Sequence, residues 1–186
     1  MKRVTAIAAG LMLFAASALA QAPKAGEKRG LAAGLQTSYA TMKGNLTKSA
    51  ERMPEADYQF KVANVPDMRT YGQWIGHQAD NQFTNCALLK GTTSPSTGNE
   101  KKATKAELVK ALNDAFAYCD GAISSLTDQN ATQLVKQGEG EAARGAIVAA
   151  LLAHGIESNG IVTVYLRAKG LVPPNPPGGR GRGGAQ

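Results

Sequence analysis

Apolar side chains first fall into a helical rhythm at Leu31, Leu35, Tyr39, Met42, Leu46, Ala50 and Met53, spaced by three or four residues. That spacing puts them on one face of an amphipathic helix, and Pro54 ends it because its ring cannot continue the hydrogen-bond ladder. Residues 55–69, with Pro66 and Asp67, read as a connection. Thr70 followed by Gln73 fits a capping box, in which each side chain satisfies an end-turn amide of the other residue. It opens a second helix that stops at Gly91. Residues 91–102, GTTSPSTGNEKK, have the composition of a loop. Thr104 and Glu107 form a second capping box, and behind it Leu108, Leu112, Phe116, Cys119, Ile123 and Leu126 make the cleanest stripe in the chain. Residues 127–140 read as a second polar connection. A fourth helix is expected over residues 141–168, with Ile147, Leu151, His154, Ser158, Ile161 or Val162, and Tyr165 along one side. No segment shows the two-residue alternation of a half-buried strand. The pattern predicts an all-α fold, a four-helix bundle.

The two ends have a different character. Lys2 and Arg3 precede an apolar run over residues 4–13, and Ala18-Leu19-Ala20 forms an A-x-A pattern before Gln21. This is the layout of a secretory signal cleaved after Ala20, and the run falls short of the roughly 20 apolar residues that span a bilayer. The expectation is an exported protein, periplasmic or secreted, with no stable membrane anchor. Residues 1–20 are then the signal peptide, 21–29 a flexible lead, 30–172 the bundle, and 173–186 (PPNPPGGRGRGGAQ) a disordered Pro/Gly/Arg tail.

Charge changes this picture little. The formal net charge is +7, and the signal accounts for two of the 21 basic residues. The remaining excess is mild and lies partly in the ends, which favours solubility and excludes a dedicated nucleic-acid groove. A homodimer is left open by the sequence.

Few residues carry chemistry. Both histidines, His77 and His154, fall inside helices on or near the core-facing side. Histidines on facing helices are how bundles assemble inward-pointing metal sites, and hydrogen-bonded core histidines would look the same. Trp74 and Asn81 flank His77 by about one turn each and are candidate pocket residues, with Tyr71 and Phe83 nearby. Gln73, Gln78 and Asn81 add a polar patch consistent with a small cavity. Cys86 and Cys119 lie on facing stripes: an oxidising compartment permits a disulfide between them, and two buried free thiols are equally compatible with the spacing. The chain has no Cys-x-x-Cys, which speaks against redox catalysis.

The segments TYGQWIGHQADNQFTNCALLKG (70–91) and LLAHGIESNGIVTVYLRAKGLVPP (151–174) resemble the DinB/YfiT-like family, down to Tyr165-Leu166-Arg167 and Gly170-Leu-Val-Pro173-Pro174. The resemblance implies a four-helix bundle with a long crossover. It also implies a divalent metal, zinc or nickel, held by one histidine on the second helix and two, four residues apart, on the fourth. His77 matches the first position and His154 the second, but the third is Ser158. A serine hydroxyl is a weak ligand beside a neutral imidazole. Glu157 and Asp80 are the alternatives for completing the set. Characterised enzymes of the family include metal-dependent transferases and isomerases that use low-molecular-weight thiols. Those thiols are cytosolic reductants, which suits an exported chain poorly. Three readings therefore enter the structure. They are a bundle with a partly degenerate His site that binds a divalent metal or an unidentified small molecule, a metal-dependent hydrolase or transferase using His77 and His154, and a non-catalytic structural or binding module.

Overall fold

The computed structural model describes residues 25–174. The expected signal peptide, the first part of the lead and most of the tail lie outside those residues. Among the described residues the helices are α1 (Leu31–Arg52), α2 (Tyr71–Lys90), α3 (Lys105–Ser124) and α4 (Arg144–Ala168). Both capping boxes are formed: Thr70 accepts from the Gln73 amide, and Thr104 from the Glu107 amide, with the reciprocal bonds also made. Such a cap contributes about 1 kcal/mol to the helix it starts.

The helices assemble as a bundle in which α2 packs on α3 and α4, and α1 packs on the same two from the opposite corner. The connection from α1 to α2 therefore crosses the bundle, and buried aromatics hold it in place. Tyr58 meets Tyr71 edge-on at 5.3 Å, and the Tyr71 hydroxyl donates to the Ser49 carbonyl at 2.6 Å. Except for Leu31, which is exposed at the first position of α1, the expected stripes form the core: Leu46, Ile75, Leu108, Leu112 and Leu151 are fully buried. Each such side chain adds about 1.5–3 kcal/mol of apolar burial. On α4 it is Val162, not Ile161, that turns fully inward. By length and apolarity α4 could cross a bilayer, but one side of it packs on α1 and α2.

One region departs from the expectation. The polar connection contains an antiparallel hairpin, β1 (Leu134–Gln137) with β2 (Gly140–Ala143), so α4 starts at Arg144 and not near residue 141. Gly138 takes φ +61° as the first residue of the two-residue turn, a conformation in which a side chain would be strained. The hairpin escaped the pattern because its strands are four residues long and mostly solvent-facing, with no buried side to enforce alternation. It is tied down by Arg144 N donating to the Gln133 carbonyl and by the Arg144 guanidinium reaching the Leu89 carbonyl at 3.0 Å.

Candidate functional site

Because α2 and α4 pack side by side, their histidines meet. His77 Nε2 and His154 Nε2 are 3.0 Å apart, with ring planes at 81°. Both side chains are about three-quarters buried, at 26 and 30 % exposure, so the pair is reached from solvent on one side.

The outer ring nitrogens each face a carboxylate. His77 Nδ1 lies 3.3 Å from Glu100 Oε2, and His154 Nδ1 lies 3.4 Å from Glu157 Oε2. A carboxylate only accepts, so each Nδ1 calls for a hydrogen, and the Nε2···Nε2 contact calls for one more. Two neutral imidazoles carry one hydrogen each. If both Nδ1 atoms carry their hydrogens, the gap takes an extra proton or a metal ion; if the His154 hydrogen sits on Nε2, one hydrogen bond across the gap satisfies the neutral pair. Tetrahedral zinc with Zn–N near 2.0–2.1 Å would place two ring nitrogens about 3.3 Å apart, a few tenths of an ångström from the spacing here. Burial lowers the His77 pKa from its ordinary value, and the Arg69 and His154 charges lower it further against the opposing pull of Glu100. That favours the neutral imidazole, which is the ligating form.

Glu100 reaches the site from the loop between α2 and α3, in a short 3₁₀ turn (Asn99–Lys101). Asp80, one turn after His77, clamps that loop. Its carboxylate accepts from the Ser96 hydroxyl, from the Asn99 amide at 2.9 Å and side chain at 2.7 Å, and from the Glu100 amide at 3.2 Å. Burial would raise the Asp80 pKa, but these hydrogen bonds outweigh it and hold the carboxyl below its usual range. Gly76 completes the seat: a Cβ there would lie 2.5 Å from the Asn99 carbonyl oxygen. Glu100 was not among the residues singled out from the sequence, since a glutamate in a loop of loop-like composition carries no signal of its own.

The remaining sequence candidates divide. Asp80 is committed to the loop and does not complete a ligand set. Ser158 is fully buried and its hydroxyl is 2.7 Å from Gln78 Nε2, so it serves the core, where that amide finds its partner. Glu157 stands behind the His154 ring and faces its outer nitrogen. Among the described residues no three His, Cys, Asp or Glu side chains converge to hold one ion. The Trp74 and His77 rings meet edge-to-face at 5.8 Å, and the Arg69 guanidinium lies over the Trp74 ring at 4.9 Å. The Asn81 side chain accepts from Asn85 Nδ2 at 3.3 Å, Phe83 packs on Tyr118, and Gln73 closes the capping box with Thr70. A concavity of about 250 Å³ is lined by Arg69, Gln73, Glu100 and Lys61, and like the next it includes neither histidine. A larger one of about 580 Å³, lined by Glu51, Glu55, Lys105 and Val109, contains neither histidine. Cys86 and Cys119 are joined as a disulfide that ties α2 to α3.

Comparisons with known proteins place this geometry in context. The model of the DinB superfamily matches residues 39–157. Among solved structures, a DinB-like protein from Bacillus cereus ATCC 10987 superposes with a TM-score of 0.64 at 16 % identity, covering 76 % of this chain and 95 % of that one. A conserved protein from Enterococcus faecalis gives 0.60 at 10 % identity, covering 76 % and 98 %. At such identities the likeness concerns the fold. No curated protein matches.

Proposed function

The chain belongs to the DinB superfamily, and on that premise we propose that it is an exported bundle binding a divalent metal ion, zinc or nickel, between His77 and His154. The observation that carries this reading is the convergence of two Nε2 atoms to 3.0 Å, each ring backed by a carboxylate. His77 and His154 would supply the protein ligands, with water or a small ligand in the other positions. Ser158 in its bond to Gln78 gives no third strong ligand, so affinity is modest compared with a three-histidine site. When bound, the ion would supply Lewis acidity to a ligand taking one of its open positions. On the protein's side, Trp74 and Arg69 stand beside His77, and burial favours the neutral form of that ring.

Export rests on the basic, apolar and A-x-A segments of residues 1–20 and is supported by the Cys86–Cys119 bridge, since disulfides persist in oxidising compartments. In that setting cytosolic thiol cofactors are absent, which weighs against the transferase chemistry of the family's known enzymes. One alternative keeps the fold and drops the metal: an extra proton satisfies the pair, and the protein is a binding module without chemistry. Ser158's engagement in the core is what favours it. Metal analysis of untagged protein separates the two. Zinc or nickel present in the wild type and lost in His77→Ala supports the metal site, and protein that never retains either metal removes it.

A further inference from the structure

We propose that Glu100 is the positioning residue of this site: it fixes the hydrogen of His77 on Nδ1 and so directs the Nε2 lone pair toward His154. The inference deepens the metal reading above and names the group that makes His77 competent to ligate.

A neutral imidazole can carry its hydrogen on either nitrogen, and the partner at one nitrogen decides the other's role. His77 Nδ1 has the Glu100 carboxylate at 3.3 Å. The other Glu100 oxygen accepts from Arg69 Nε at 2.7 Å, so the carboxylate is held from behind by a cation that cannot lose its proton. Arg69 in turn lies over Trp74, whose ring meets that of His77 edge-to-face. The loop carrying Glu100 is itself fixed, by the Asp80 clamp and by the close approach that Gly76 permits. Asp80 and Gly76 belong to α2 and Arg69 directly precedes its N-cap Thr70, so Glu100 and His77 are held to the same helix. His154 has a weaker equivalent: Glu157 is 68 % exposed against 31 % for Glu100, and solvent screens it. Carboxylates placed behind ligating histidines commonly raise metal affinity about 10–100-fold.

The test uses metal-free protein with labelled histidine side chains and reads the tautomer of His77 by NMR at about pH 8, where an ordinary imidazole is neutral. Wild type should show His77 hydrogenated on Nδ1. Glu100→Gln should move it toward a mixture and weaken zinc binding about 10–100-fold, and Asp80→Asn should do the same more mildly by loosening the loop. Glu157→Gln should leave the His77 tautomer unchanged. Circular dichroism checks that each variant is folded. An Nε2-hydrogenated His77 in wild type, or no change in tautomer and zinc affinity in Glu100→Gln, overturns the proposal. If wild type binds no zinc while the tautomer responds as stated, the positioning role stands and the metal reading falls.

Discussion

The two halves of the histidine site are built to different standards. On α2, His77 sits in a helix started by a complete capping box, stapled to α3 by Cys86–Cys119, and backed by a carboxylate whose loop has its own clamp. On α4, His154 sits in a helix with no side-chain hydrogen bond at its N-cap, and its carboxylate partner stands in solvent. The neighbouring position that would carry another ligand is occupied by Ser158, which bonds to Gln78. Both rings point a nitrogen at the same gap, but only one is held there by a network. The difference teaches that a site can keep a firm half and a loose half, and that the firm half sets what the pair can bind.

The comparison can be broken most forcefully at the staple. Replacing both Cys86 and Cys119 by Ala should lower stability by about 3 kcal/mol, because the bridge restricts the unfolded chain. Denaturant unfolding would read it, and reduced wild type should match the variant. If the double variant unfolds like oxidised wild type, the bracing of α2 is not what distinguishes the halves.

Gly76→Ala comes next. Its Cβ would run into backbone atoms of Asn99 and Glu100, so the loop must move, at a cost of about 1–3 kcal/mol. The same substitution should weaken zinc binding, since Glu100 leaves with the loop. A variant that loses stability with zinc affinity intact would separate the clamp from the site.

Asp80 gives a pH test with a definite sign. Its carboxyl is held below the ordinary value in the folded protein, so the clamp contributes stability above the unfolded pKa of about 3.9 and loses it as pH falls through the lower folded value. Wild type should therefore lose part of its stability in that acid window, and Asp80→Asn should lack that part. Equal acid sensitivity in both proteins would assign the effect to other carboxylates.

Smallest of all is Glu157→Gln. At an exposed position its effect on stability should stay within about 0.5 kcal/mol. Its effect on zinc affinity should be smaller than that of Glu100→Gln. The reverse order would make α4 the firm half.

Much of the firm half could be read from the amino-acid sequence, except its decisive residue. The Thr70–Gln73 and Thr104–Glu107 boxes are local, so sequence spacing suffices to find them. The stripes of α1 and α3 are equally local, and His77 and His154 both sit at core-facing phases of their helices. Gln78 stood out as a buried amide needing partners, and Ser158 supplies one for its Nε2 while its Oε1 has none. Glu100 is different in kind: its position depends on a loop folded back over Gly76 and bonded to Asp80, and neither contact leaves a periodic trace. Asp80 and Glu157 were alternatives for completing the metal set because helical spacing gives their distance from a histidine. Spacing does not say whether the carboxylate is already occupied or which ring nitrogen it faces. The hairpin was missed for a related reason, as solvent-facing strands of four residues have no buried side to pattern.

The central claim is that the two converging Nε2 atoms hold a metal ion. Calorimetric titration of zinc into metal-free, untagged protein tests it directly, with His77→Ala and His154→Ala as companions. The account predicts saturable binding of one ion per chain, lost in both variants. No saturable binding to wild type, or binding that survives either substitution, would contradict it.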